Sequence, residues 1–348
     1  MNKIIQLIGR LEQNRSLTLL EYEQLINGYS PAAAEYLRQK AEAARIAVYG
    51  KDVYIRGLIE ISNICKNDCY YCGIRHSNKK CQRYRLSEEQ ILNCCDEGYK
   101  LGFRTFVMQG GEDMHFSDEV LCDLITKIKT KYPDCAITLS LGERSFESYK
   151  ALKSAGADRY LLRHETADKA HYEKLHPNNL SFENRIKCLE NLKELGFQVG
   201  CGFMVGSPYQ TPKTLAKDLK FIETFKPDMC GIGPYITHKD TPFNNMPSGS
   251  FEMTLYLLSI VRLIDPHLLL PATTALGTIH PKGREMGIKA GANVIMPNLS
   301  PTDTRSKYEL YEGKIFSGDE AAECKKSLEE SMKAIGYRVV TARGDKIK

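Results

Sequence analysis

With 348 residues, 42% of them hydrophobic, the chain can bury one large core or two ordinary ones, which excludes disorder as its general state. Its 48 basic and 43 acidic residues leave a net charge of +5 with no run of one sign, which argues against a nucleic-acid partner. The apolar stretch 255–264 is too short to span a bilayer and is interrupted by Arg262, and MNKIIQLIGRLEQNR lacks a signal-peptide core, so a cytoplasmic protein with no membrane partner is expected.

Up to residue 50 the pattern predicts helix. Ser30 and Pro31 supply an N-cap and a first turn, Ala-rich sequence runs to Ala47, and Gly50 stops it. From Val53 onward, apolar runs of strand length alternate with amphipathic segments. Strands are predicted at 53–61, 105–109, 136–141, 159–164, 199–205, 229–236, 268–275 and 293–297. Helix starts are marked by Ser87 with Gln90, Ser117, Ser145, Ser181, Thr211 with Pro212, and Ser250; Gly102, Gly156, Gly196 and Gly291 mark the stops. Successive β-then-α units require parallel strands with helices outside. The expected fold is therefore α/β, a (β/α)8 TIM-type barrel over 53–300, preceded by an N-terminal helical extension, 1–52. A C-terminal tail, 301–348, should pack on the barrel with one helix over 319–335. An open doubly wound sheet loses its best support because no Gly-x-Gly-x-x-Gly follows the first strand.

A barrel keeps its chemistry at the C-terminal ends of its strands. Directly after the first predicted strand come Cys65, Cys69, Tyr71, Cys72 and Gly73, three cysteines at C-x3-C-x2-C on a loop free to fold them together. Three thiolates fill three corners of a metal centre and leave a fourth open. Zinc would need a fourth ligand, for which His76 is the only neighbour, whereas a cubane iron–sulfur cluster with one unligated iron needs none. After the second strand, Gly110 and Gly111 let backbone approach a ligand, between Gln109 and the carboxylates Glu112 and Asp113. Alternation groups Thr138 with Ser140 and sends Arg159 and Arg163 into the barrel, where they need anions or an internal partner such as Glu165. Thr273, Thr274, Met204, Met229 and Met296, near other strand ends, suggest a partly apolar pocket for adenosine and a sulfur-rich ligand.

The cysteine motif, with an aromatic residue before its last cysteine, resembles the signature of the radical S-adenosylmethionine (SAM) superfamily. The segments IRGLIEISNIC, YYCGIR, QGGED, RYLLRHET, PATTALGT and NVIMPN are similar to its biotin-synthase-like branch, and most of all to the radical SAM maturases of FeFe hydrogenase. The resemblance implies one 4Fe-4S cluster on Cys65, Cys69 and Cys72, with an open iron that takes SAM and cleaves it reductively to a 5′-deoxyadenosyl radical. It implies that Tyr71, Gln109, Gly110, Gly111, Glu112, Ser140, Glu165, Arg185 and Met204 surround SAM. Thr138, Arg159, Arg163, Met229, Thr273, Thr274, Met296 and Tyr308 would line the substrate cavity, with Tyr308 or Tyr311 closing it. The implied substrate is a small organometallic or amino-acid-derived molecule, in anaerobic assembly of the diiron subcluster (H-cluster). Implied partners are an electron donor such as ferredoxin or flavodoxin, a tyrosine-cleaving maturase and a GTPase scaffold maturase. The tail carries Cys324 alone, so a second cluster there is not expected. A methylornithine-forming lysine mutase, with Arg159 and Arg163 on a carboxylate, remains an alternative. So do biotin-synthase-like sulfur insertion, with Cys135, Cys201 and Cys230 near strands, and a non-catalytic iron–sulfur or zinc carrier.

Overall fold

Local signals decide where the helices of this chain begin. In a computed structural model, which describes residues 2–347, Ser87, Ser117, Ser145, Ser181, Thr211 and Ser250 each accept a backbone N–H of the first turn. They open helices Glu88–Lys100, Asp118–Lys131, Phe146–Ser154, Phe182–Glu194, Pro212–Phe225 and Phe251–Ile264. Gly102, Gly156, Gly196 and Gly291 end helical segments at φ of 90°, 113°, 74° and 111°, backbone that a Cβ disfavours. Ahead of the barrel lie helices Asn2–Asn14, Leu19–Asn27 and Pro31–Tyr49, the last capped by Ser30 as expected. Among the described residues no helix is long and apolar enough to cross a membrane.

Strands Gly57–Ser62, Thr105–Gly110, Ala136–Ser140, Arg159–Leu161, Gln198–Cys201 and Met229–Cys230 pair in that order, all parallel. The ring continues through residues 268–271, bridged to Met229 and to Val294, and Asn298 bridges back to Leu58. The eightfold βα barrel thus stands, with its last two strands reduced to short ladders. Three predicted strands are broken. The first divides at Arg56 into Asp52–Ile55 and Gly57–Ser62. The fifth divides at Gly202, whose φ of 152° brings the chain so close to the next strand that a Cβ would lie 2.0 Å from Gly231 O. The sixth becomes Met229–Cys230 and Gly233–Pro234, and the predicted seventh ends early because Thr274–Ile279 is helix.

Alternation sorts the ring's side chains. Ile59, Ile61, Phe106, Met108, Ile137, Leu139, Tyr160 and Val199 point outward and join Ile91, Leu124, Leu189 and Leu219 of the helices in one core. Their neighbours, among them Glu60, Gln109, Thr138, Ser140 and Arg159, therefore face the barrel interior. Cys135, Cys201 and Cys230 belong to the outer apolar layer, so they are packing residues and do not form an internal sulfur-donor site.

The tail differs from its expectation. In place of one helix over 319–335 there are turns Gly318–Glu320 and Ala322–Cys324, helix Lys325–Ala334, and a strand, Arg338–Val340, parallel to Asp52–Ile55. Beyond it the chain crosses the barrel floor. Arg343 O accepts from Thr105 Oγ1 at 2.7 Å and from Arg159 at 2.9 Å, and Asp345 accepts from Arg159 at 2.5 Å and from Gln198 at 3.0 Å. Arg159, expected in the substrate cavity, is thus fully engaged at the opposite end, because it begins its strand. Met229 also corrects its expectation. It starts a strand, packs with Tyr49, Leu269 and Val294, and its Sδ accepts from Arg56 at 3.0 Å; Met296 leans on the same group.

Burial raises the Asp345 carboxyl, but hydrogen bonding from Arg343 and the charge of Arg159 outweigh it and hold the group well below the usual carboxylate range. A depressed acid stabilises the fold above its unfolded value and loses that contribution as pH falls through the folded one. Asp345→Asn should therefore melt below wild type at neutral pH. The gap should narrow as pH drops below about 4, followed by thermal unfolding across a pH series.

Candidate active site

The loop after Ser62 is folded back on itself by polar side chains at its base. Arg83 donates to the carbonyls of Asn63, Ile74, Arg75 and Asn78 at 2.6, 2.8, 2.6 and 3.2 Å. Asn63 Nδ2 reaches Gln82 O at 2.9 Å and Lys307 O at 2.7 Å, and Gly73 N donates to Leu310 O at 2.8 Å, which ties the loop to the tail. The loop thereby carries Cys65, Cys69 and Cys72 at the barrel mouth. Burial pushes the Cys69 thiol up to about 12 and the Cys72 and Cys65 thiols upward too, so bare sulfurs stay protonated and need a metal to become thiolates.

Zinc–sulfur bonds of about 2.3 Å in a tetrahedron would bring the sulfurs to within about 4 Å of one another. Among the described residues the group whose ligand atoms gather within 4.8 Å is His238, Glu309 and Glu312, not the cysteine trio. The three cysteine sulfurs do not all lie within that distance of one another. In the other group His238 Nδ1 accepts the Asp240 N–H at 3.1 Å, which leaves the ring proton on Nε2, and Lys239 pairs with Glu312 at 2.9 Å.

The Gly-Gly-Glu turn sits against the cysteine loop. Glu112 N donates to Cys65 Sγ at 3.4 Å, Lys66 N to Glu112 O at 3.1 Å, and the Glu112 carboxylate accepts Glu143 N at 3.0 Å and meets Lys66 at 3.2 Å. A Cβ on Gly111 would lie 2.3 Å from Ile64 O and 2.7 Å from Cys65 Cβ. Gly111→Ala should therefore push the cysteine loop outward, costing about 1–3 kcal/mol in chemical denaturation and lowering the iron retained after gel filtration.

Arg185, which the resemblance puts beside SAM, is buried. It donates to Glu143 at 2.5 Å and to Arg163 O at 2.7 Å. Glu165 is held at φ 62°, and its carboxylate lies 3.2 Å from Arg163 without the alignment of a hydrogen bond. Arg163 Nε, Glu165 Oε2, Thr138 Oγ1 and Thr273 Oγ1 are all buried with no hydrogen-bond partner. Thr274 instead bonds Glu320 at 2.9 Å. Ser140 lies level with Gln109 in the ladder, and Gln109 Nε2 donates to Tyr308 OH at 3.3 Å. Met204 joins Leu175, Tyr235 and Phe243 in an apolar patch on which Tyr70 and Tyr71 pack. A cleft of about 800 Å³, lined by Lys66, Glu112, Met114, Glu143, Arg144 and Asn184, opens beside the turn.

Three residues of this region lie outside the expected site residues. Lys314, from the tail, pairs with Glu60 of the first barrel strand; their side chains are 7% and 0% exposed. Asn298 also donates to Glu60, at 2.9 Å. His176, just past a short helix, holds the Tyr71 hydroxyl at 3.1 Å.

Comparison with known proteins fits this geometry. The family model of the radical SAM superfamily matches residues 59–222. Over 87% of this chain and 86% of the relative, 44% of residues are identical to the FeFe hydrogenase maturase subunit HydE of Thermotoga maritima. The chain belongs to the radical SAM superfamily. A 3-methylornithine synthase of Methanosarcina acetivorans is 28% identical over 84% of this chain and 79% of its own. Among solved structures, methylornithine synthase (PylB) shares the fold at a TM-score of 0.84 and 24% identity, covering 96% of this chain and 97% of that one. The structure of HydG, a maturase of FeFe hydrogenase, shares it at 0.81 and 21% identity, covering 98% and 76%. As a radical SAM enzyme the protein takes a 4Fe-4S cluster and SAM. The residues at the mouth fit both: three free cysteines on one loop, and buried polar atoms of Arg163, Glu165, Thr138 and Thr273 that have no hydrogen-bond partner.

Proposed function

We propose that the protein is a maturase that acts in assembly of the diiron subcluster of FeFe hydrogenase. The observation that carries this reading is the 44% identity to the Thermotoga maritima maturase over nearly the full length of both chains. Cys65, Cys69 and Cys72 hold the cluster. Glu112, Ser140, Glu165 and Arg185 orient SAM, with the glycines and Gln109 at its backbone and the Tyr71–Met204 patch against its apolar part. When bound, cluster and SAM together supply an electron and a 5′-deoxyadenosyl radical. The chain's own part is to place that radical against a substrate and to keep water and stray hydrogen donors away, which the closed ring and the tail residues Tyr308 and Lys314 serve. Arg163, Thr138 and Thr273, with unpartnered polar atoms, face the substrate, a small organometallic or amino-acid-derived molecule. Arg159 is left out of that set because Asp345 already neutralises it, which also weakens the lysine-mutase alternative that wanted it for a carboxylate.

The working partners in this reading are the tyrosine-cleaving and GTPase maturases and a ferredoxin or flavodoxin, in the reducing cytoplasm that suits twelve free cysteines. Dithionite-reduced, iron-loaded protein should convert SAM to methionine and 5′-deoxyadenosine. A strain deleted for the gene should lose FeFe hydrogenase activity and regain it from a wild-type copy. Unimpaired hydrogenase in the deletion strain would refute the maturase assignment, and absent SAM cleavage would leave only a carrier.

A further inference from the structure

Tyr71 stands between two cluster cysteines, and its hydroxyl has two acceptors within reach but only one hydrogen. The hydrogen-bond geometry places it on His176 Nε2, at 3.1 Å; the competing acceptor is the sulfur of Cys69, two residues back, whose thiol a hydrogen bond from the phenol would lower. The imidazole settles which of them is served. Its Nδ1 lies 2.9 Å from Tyr172 O, a group that can only accept, so Nδ1 carries the ring hydrogen. Burial, followed by the charge of Arg185, holds the ring neutral, down to about 3. Nε2 is therefore a bare lone pair, and the phenol must be the donor.

The ring cannot turn away from this role. His176 is buried, Tyr172 stacks on it at 3.9 Å and 23°, and Tyr71 meets it edge-on at 5.4 Å and 89°. Arg185 lies over the Tyr172 ring, 6.0 Å from its centre. The direction of the phenol hydrogen is thus decided by covalent geometry and packing.

Hydrogen bonds to the sulfurs are among the features that set the potential of an iron–sulfur cluster. Donation to a thiolate favours the reduced, more negative state and raises the potential. Resting on the cluster assignment above, we propose that His176 is a positioning residue that draws the Tyr71 hydrogen away from Cys69 and so keeps the cluster potential low. A low potential matters where a weakly oxidising sulfonium has to be reduced.

The test is an EPR-monitored redox titration of the full-length, anaerobically reconstituted protein without SAM. In His176→Phe the phenol loses its acceptor and turns to Cys69. The ratio of reduced to oxidised cluster at a fixed ambient potential should then rise about tenfold, equivalent to ~59 mV for one electron. His176→Gln, whose amide oxygen can take the hydrogen, should titrate as wild type. Tyr71→Phe should leave the potential where it is, and the double variant Tyr71→Phe/His176→Phe should cancel the rise. A potential that falls in Tyr71→Phe would mean that the phenol already donates to Cys69 and would overturn the inference, whether or not His176→Phe folds. So would an unmoved potential in a fully loaded His176→Phe protein, or a rise that survives in the double variant. A wild-type protein that takes up no cluster would instead overturn the assignment on which this rests, which keeps the two failures apart.

Discussion

Replacing Cys69 with alanine is expected to abolish the open-iron cluster and, with it, SAM cleavage. Losing a residue that merely supports a metal ligand costs tenfold to a hundredfold in metal affinity; losing a ligand in a set of only three costs at least that. Iron in the reconstituted protein should fall from about four per chain to a small residue, and 5′-deoxyadenosine should drop by on the order of a hundredfold or more. Cys201→Ala and Cys230→Ala provide the contrast. Both sulfurs lie in the apolar layer between strands and helices, so these variants lose some stability yet keep their iron. Cys324→Ala should keep it as well, since the tail has no partner cysteines for a second cluster. Full iron and activity in Cys69→Ala, or about eight irons in wild type, would contradict this.

The second large effect is on the fold at the barrel mouth. Lys314→Met strips the ammonium from a buried pair and leaves Glu60, fully enclosed, with Asn298 as its remaining donor. An uncompensated charge in such a place costs about 3–5 kcal/mol. Part of the cost is escaped if the segment around Lys314 lifts away and lets water reach the carboxylate, so the loss should show in two ways: a lower denaturation midpoint and faster proteolysis between residues 306 and 317. Adding Glu60→Gln removes the stranded charge and should restore most of the midpoint. If the double variant is no better than Lys314→Met alone, the two side chains are not energetically coupled.

How much of this was legible beforehand depended on whether the physics was local. A serine cap acts on the amides of its own first turn, so all six marked starts coincide with helices. The three cysteines and the glycine pair were legible for the same reason: their spacing is their geometry. Arg159 and Met229 show the limit. Alternation turned Arg159 inward and Met229 was placed by its nearness to a strand end, but neither reading gives height along the barrel, and both residues begin their strands and lie on the floor. The strand Arg338–Val340 is too short to carry a period, and only its pairing with Asp52–Ile55 makes it a strand. Arg185 reads as a solvated helix residue until Glu143, far away in sequence, is folded beside it. Lys314, next to Gly313, reads as an ordinary polar loop, because Glu60 lies more than two hundred residues earlier.

The cysteine loop is pinned from far downstream, by Lys307 O on Asn63 and Leu310 O on Gly73. On a translating ribosome those anchors emerge more than two hundred residues after the thiols do, a delay of roughly 10–50 s at ordinary elongation rates. For that interval the nascent chain displays three uncovered sulfurs, open both to an iron–sulfur donor and to any oxidant. Exposure to air during synthesis should therefore do more lasting damage to this protein than the same exposure after the chain has closed over its metal.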